Sequence, residues 1–157
     1  MSQAIKELFD KELLGDEISA LTVLQAGEIS AVAAYDQALH RVKDVEVLPI
    51  LYDCRNSHAL RVEILGVRLK DLGAASKEKA GFLAELFKFI EGGATMIGDQ
   101  TAMKVLSAVE NFGSQQYRSC MRALAPDSWK IVEEELLPSQ RCTDLTMQFV
   151  CTNLVSS

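Results

Sequence analysis

The sequence predicts an all-α protein: an antiparallel four-helix bundle, preceded by a short N-terminal helix, with a long crossover connection that contains a further short helix. Three observations predict it. Apolar residues recur at intervals of three and four along four stretches, and period-2 alternation is almost absent. Breaks are few, with three prolines and nine glycines in 157 residues. The expected core helices cover about 16–43, 47–72, 99–124 and 127–154, with 73–98 as the crossover, all within a single domain spanning 1–157.

Ser2–Leu14 reads as a short amphipathic helix closed by Gly15, after which Asp16 caps a long helix reaching about Lys43. In that helix Leu21, Glu28, Tyr35 and Val42 recur every seven residues, with Leu24, Val32 and Leu39 near the complementary positions, so Glu28 falls on the buried stripe. The second helix carries Leu48, Leu51, Arg55, His58, Val62, Leu65, Leu69 and Leu72 on one face, and Gly73 ends it. The crossover holds a helical piece, Lys77–Ile90, and the glycine-rich Gly92–Gly98. The third helix repeats Met103, Leu106, Glu110, Gly113, Tyr117, Cys120 and Leu124. A turn at Ala125-Pro126-Asp127 leads into the last helix, capped by Asp127 or Ser128, with Trp129, Val132, Leu136, Gln140, Thr143, Met147, Val150 and Leu154 inward and a kink expected at Pro138. Glu28-x6-Tyr35 in the first half is echoed by Glu110-x6-Tyr117 in the second, the mark of an internal duplication.

Composition narrows the function. Apolar residues make up 48% and charged residues 24%, enough to bury a core and too apolar for disorder. A net charge of -6 and a pI near 4.9, with no basic stripe, argue against a nucleic-acid partner. Charged residues interrupt Met1–Gly15, unlike a signal peptide, and no run of about 20 apolar residues occurs, so no membrane span and a cytoplasmic location are expected. Cys54, Cys120, Cys142 and Cys151 lack C-x-x-C spacing and read as reduced core residues. No nucleophile elbow, phosphate-cradling loop or dinucleotide fingerprint is present.

From Asp16 to Leu154 the pattern resembles the ferritin-like superfamily, whose metal sites take one Glu from each of two helices and a Glu-x-x-His from each of the other two. The phrases Tyr35-Asp36-Gln37-Ala38-Leu39 and Leu136-Leu137-Pro138-Ser139-Gln140 carry a likeness to short bacterial ferritin-like domains related to rubrerythrins. The resemblance implies that Glu28 and Glu110 hold the single-carboxylate positions and that His58 is the histidine of the first Glu-x-x-His, around iron or manganese. The rest of the set departs. Arg55 stands three residues before His58 where the family has glutamate, and the seam of the fourth helix offers Gln140 and Thr143, neither a good ligand for those metals. Asp144, next to Thr143, would have to supply the missing oxygen.

Three strong ligands are few for two hard cations, and a guanidinium beside them repels metal. Buried Glu28 and Glu110 need a cation, which Arg55 is expected to supply through a bidentate pair. The expected polar core is therefore Arg55, Gln140, Thr143, Tyr35 and Tyr117 around the two glutamates, with no cofactor, in a non-catalytic structural or interaction module. The alternative is an iron- or manganese-binding oxidoreductase or metal-storage protein with ligands Glu28, His58, Glu110 and Asp144. A third reading, a small apolar ligand beside Ala31, Ala34, Gly113 and Ser114, competes with simple close packing of helices. Trp129 is expected in the core, and Glu133-Glu134-Glu135 on a solvated face. Phe82, Phe87 and Phe89, with the N-terminal helix, suggest either a homodimer or packing onto their own bundle.

Overall fold

The computed structural model describes residues 3–74 and 98–154, and the backbone alone over 4–6 and 8–13. Among the described residues every element is helical. Helix α1 runs Gln3–Arg41, α2 Leu48–Asp71 and α3 Asp99–Cys120, followed by a 3-10 turn at Met121–Ala123. The last helix is built in three contiguous pieces: α4 (Pro126–Ile131), a π-helical turn (Val132–Leu136) and α5 (Leu137–Asn153).

Gly15 does not break α1, contrary to the expected stop. Positive φ occurs, among the described residues, only at Gly73 and Gly98, so Gly15 takes an ordinary helical conformation. Its cost of about 1 kcal/mol relative to alanine is absorbed by a helix of 39 residues. Gly73, at φ 72°, does terminate α2: its N–H bonds to the Lys70 carbonyl and the Ala74 N–H to that of Leu69, the paired pattern of a left-handed helix stop. The loop between α1 and α2 is tied to the start of α3, because the Asp99 carboxylate accepts the backbone N–H groups of Lys43 and Asp44.

Pairings between helices show direction. Tyr35 meets Glu110 and Tyr117 meets Glu28, so α1 and α3 are antiparallel; Asp36 meets Arg55 and Glu28 meets Arg61, so α1 and α2 are antiparallel as well. It follows that α2 and α3 run parallel, and the end of α2 and the start of α3 lie at opposite ends of the bundle. That placement is what a long crossover requires; the helical piece Lys77–Ile90 and Phe82, Phe87 and Phe89 lie outside the described residues.

Pro138 brings a π-turn. The N–H of Leu137 bonds five residues back to the Val132 carbonyl, widening the helix just before a residue that has no N–H to donate. The widened turn lets two successive residues, Leu136 and Leu137, face inward. Trp129 does not: it is 43% exposed while Ser128 is fully buried, because Pro126 at the first turn sets a phase in which 128 and 132 point to the core. Cys142 is exposed and Cys120 and Cys151 are half-buried, so of the four free thiols only Cys54 belongs to the core.

Two apolar clusters divide the bundle. One gathers Tyr35, Val42, Leu51, Met103, Leu106, Met147 and Val150, the other Leu21, Leu24, Leu65, Leu69, Tyr117, Val132 and Leu136. A layer of buried polar side chains lies between them. By length and composition alone Leu14–Arg41 is apolar enough to cross a membrane, but half of its most apolar window is buried in the bundle.

Candidate functional site

The heptad that places Glu28 and Tyr35 on one stripe of α1, and Glu110 and Tyr117 on one stripe of α3, sets Tyr35 beside Glu110 and Tyr117 beside Glu28 in the core. Each tyrosine donates to the glutamate of the other helix: Tyr35 to Glu110 Oε1 at 2.6 Å, and Tyr117 to Glu28 Oε1 at 2.6 Å. The sequence echo is thus a reciprocal cross in space.

His58 on α2 joins the two carboxylates. Its Nδ1 lies 2.6 Å from Glu28 Oε2 and its Nε2 2.8 Å from Glu110 Oε1. A carboxylate oxygen facing each ring nitrogen favours the imidazolium form, in which both nitrogens donate. Arg61, one turn on, is 1% exposed. Its Nε donates to Glu28 Oε1 at 2.8 Å, its Nη1 to Ser57 Oγ at 3.1 Å and its Nη2 to Gln140 Oε1 at 3.0 Å. The same Nη2 lies against the imidazole, 2.6 Å from Nδ1. These like charges are tolerated because both cations face Glu28.

The fourth helix closes the layer. Gln140 Nε2 and Thr143 Oγ1 donate to Glu110 Oε2 at 2.9 and 2.8 Å. Gly113 makes room: a Cβ there would stand 3.0 Å from Gln140 Nε2. Gly113 therefore serves close approach of the fourth helix.

Electrostatics follow from these partners. Burial raises the Glu28 carboxyl, but the His58 hydrogen bond, the Arg61 charge and the Tyr117 hydroxyl together hold it below its ordinary value. Burial likewise opposes ionisation of Glu110, yet His58, Tyr35 and Thr143 keep it below the ordinary range. Burial pushes the His58 imidazole down, and its bonds to Glu110 and Glu28 carry it above its usual value. Both tyrosines are driven well above theirs by burial and the facing carboxylates, so they remain donors. Burial, with the Glu110 charge adding to it, pushes the Cys54 thiol to about 11, which leaves it an unreactive thiol. Two carboxylates face one guanidinium and one imidazole whose protonation they favour, and the layer is neutral when His58 carries its proton.

Two expected participants stand elsewhere. Arg55 is not the cation of the core; it is half-buried at the bundle surface, where its Nε donates to Asp36 Oδ1 at 2.9 Å. The buried stripe of α2 is Val47, Leu51, Cys54, His58, Arg61, Leu65 and Leu69, so the face turns through Cys54 and Arg61 rather than Arg55 and Val62. Arg61 stands four residues before Leu65 and seven after Cys54, spacings that the buried stripe shares but that Arg55 also approximates from Leu51 and His58. Asp144 also lies outside the layer: it accepts from Ser114 Oγ and Gln148 Nε2, both at 3.0 Å. The structure brings Glu28, His58, Glu110, Tyr35, Tyr117, Gln140 and Thr143 together, and adds Arg61 and Ser57.

A divalent metal does not fit this donor set. The carboxylates of Glu28 and Glu110 and both nitrogens of His58 are engaged with protein groups, and the Arg61 guanidinium occupies the space between His58, Gln140 and Glu28. An added divalent ion would face that fixed positive charge at contact distance.

Fold and site together define a helical bundle with a self-satisfied, charge-balanced polar layer at its centre. Among known proteins, the chain matches no family model, no curated protein and no solved structure.

Proposed function

We propose that this chain is a ferritin-like bundle whose central site works without metal, and that it serves as a non-catalytic structural or interaction module in the cytoplasm. The observation that carries the reading is the closed polar layer, in which Arg61 and His58 together engage Glu28 and Glu110. On the ferritin-like pattern, the two Glu-x-x-His positions would then be taken by His58-x-x-Arg61 in α2 and Gln140-x-x-Thr143 in the fourth helix, a register shifted from the one that pairs Arg55 with His58. An interaction role is supported by large apolar side chains left outside the bundle, Phe112 on α3 and Leu145 and Phe149 on α5 among them. The partner is protein, in the first place a second copy of this chain, rather than nucleic acid or lipid.

Elemental analysis of protein purified without chelator, followed by calorimetric titration with iron(II) and manganese(II), tests the reading. No stoichiometric metal is expected. Metal bound one-to-one or two-to-one, and lost in Glu28→Ala, would replace it with the iron- or manganese-dependent oxidoreductase or storage alternative.

A further inference from the structure

Helix α1 is buried on a side that its partner helices leave open. At about 100° per residue, Glu28 marks its core side, and Val23, Ala26, Ser30, Ala33 and Gln37 form the opposite stripe at alternating steps of three and four. On the matching outer stripe of α2, Asn56, Leu60, Glu63 and Val67 are all exposed, and Phe112 and Leu145 show that α3 and α5 also turn a face to solvent. Yet from Ala20 to Leu39 α1 has no exposed residue, and Ala26 on its outer stripe is 4% exposed. The described contacts of α1 lie on its flanks: Gln25 donates to the Val62 carbonyl of α2, and Gly27 stands against Gln116 of α3. A stripe of alanine and serine cannot bury itself, so a further length of chain covers it.

The burial is that of a single copy, so the cover is the chain's own. Met1 and Ser2 stand at the far end of α1, and the residues after Leu154 are too few to cover Ala20–Leu39, a stretch of about 30 Å. Residues 75–97 remain. They leave α2 at Ala74 and rejoin at Gly98, at the opposite end of the bundle, where Asp99 holds the α1–α2 loop at Lys43 and Asp44. Because α1 packs against both α2 and α3, a direct route between those points passes over it. Even at helical rise the segment reaches about 35 Å. Its sequence offers Leu83, Leu86, Phe87 and Ile90 at the spacing of one helical face. We propose that residues 75–97 dock along the outer stripe of α1, with Ala26 and Ala33 at the centre of the contact. The proposal goes beyond the metal-free reading and does not depend on it: it withdraws α1 from the surface open to a partner and leaves the exposed apolar side chains of α2, α3 and α5.

The test is thiol labelling of the full chain, read peptide by peptide by mass spectrometry. Ala26→Cys is expected to react at least about tenfold more slowly than Asn56→Cys, at every protein concentration. Adding Leu83→Ser/Phe87→Ser is expected to bring the two rates together while leaving the helicity of the bundle unchanged. In a second measurement, p-benzoylphenylalanine in place of Gln37 is expected, on irradiation, to capture a peptide within 75–97 of the same chain; this one decides the matter where the serine variant does not fold. Equal rates for Ala26→Cys and Asn56→Cys overturn the proposal, and so does slow labelling that survives the serine substitutions in a folded chain. Capture of bundle peptides alone also overturns it. Protection or capture that appears only at high protein concentration would assign the cover to a second copy and overturn it as well.

Discussion

Two arginines reach from α2 towards glutamates of α1, one at the centre of the bundle and one near its end, and they are built to different standards. At the centre Arg61 has a partner on each of its three nitrogens, and Glu28 accepts from Arg61, His58 and Tyr117. At the end Arg68 gives its Nε to Ser128 Oγ at 2.6 Å, but its Nη2 stands 3.7 Å from Glu17 Oε1, an oxygen with no hydrogen-bond partner. The side chain of Arg68 is 18% exposed against 1% for Arg61. Arg68 is partly open to solvent, but Glu17 is only 5% exposed and its Oε1 is buried. The contrast is between a buried carboxylate with every partner in place and a buried carboxylate left short of one, a deficit that costs stability where the effective dielectric is low.

Deleting the cation at each place breaks the comparison hardest. Arg61→Met strands Glu28 beside a single cation in a dry layer and is expected to cost about 3–5 kcal/mol, a fall in Tm on the order of 10 °C. Arg68→Met is expected to cost less, about 1–2 kcal/mol, because its guanidinium is partly solvated and stands 3.7 Å from Glu17, beyond hydrogen-bond distance. Thermal unfolding of both variants measures the difference. Equal losses would mean that the central layer is no more demanding than the end.

Acidity probes the same layer without mutation. The carboxyls of Glu28 and Glu110 are lowered from an ordinary value of 4.5, so their stabilisation is complete above that value and is lost as pH falls through their folded values. His58 is raised from 6.5, so its contribution is complete below that value and is lost as pH rises through its folded value. Stability should therefore peak between about pH 4.5 and 6.5 and decline on both sides. His58→Gln should flatten the alkaline decline; a decline that survives unchanged would place its origin elsewhere.

The bundle was legible because seven-residue spacing is a property of the chain itself. Leu21, Glu28, Tyr35 and Val42, and Met103, Leu106, Glu110 and Tyr117, are all buried as their spacing predicts. The identity of the central cation was not, for on α2 the stripe alternates steps of three and four, and both Arg55 and Arg61 lie three residues from His58. Only the position of the partner helix chooses between them. Gly15 misleads for a related reason: it carries a local bias against helix that packing along the whole bundle overrides, while at Pro138 a π-turn inside the helix removes the clash.

The reciprocal tyrosines give a smaller effect and sharpen the comparison within the layer. Tyr35→Phe leaves Glu110 with His58, Gln140 and Thr143, while Tyr117→Phe leaves Glu28 with His58 and Arg61. Each loses one hydrogen bond to a charged group, worth about 1.5–3 kcal/mol. Glu110 keeps His58 and two neutral donors, and Glu28 keeps His58 and Arg61. Chemical denaturation should therefore find similar losses for the two variants. A Tyr117→Phe effect several times larger would show that the two halves of the cross are not equivalent.

Smallest of all should be the changes that leave the central layer intact. Arg55 pairs with Asp36 where both are open to solvent, so Arg55→Met should cost about 0–1 kcal/mol after screening, even though its sequence position three before His58 points to the core. Glu17→Gln removes a charge whose Oε1 has no donor, and should be neutral or stabilising by up to about 1 kcal/mol. Guanidinium unfolding of both variants beside Glu28→Gln separates the cases. If Glu17→Gln destabilises as much as Glu28→Gln, the 3.7 Å approach of Arg68 is a full ion pair despite its length.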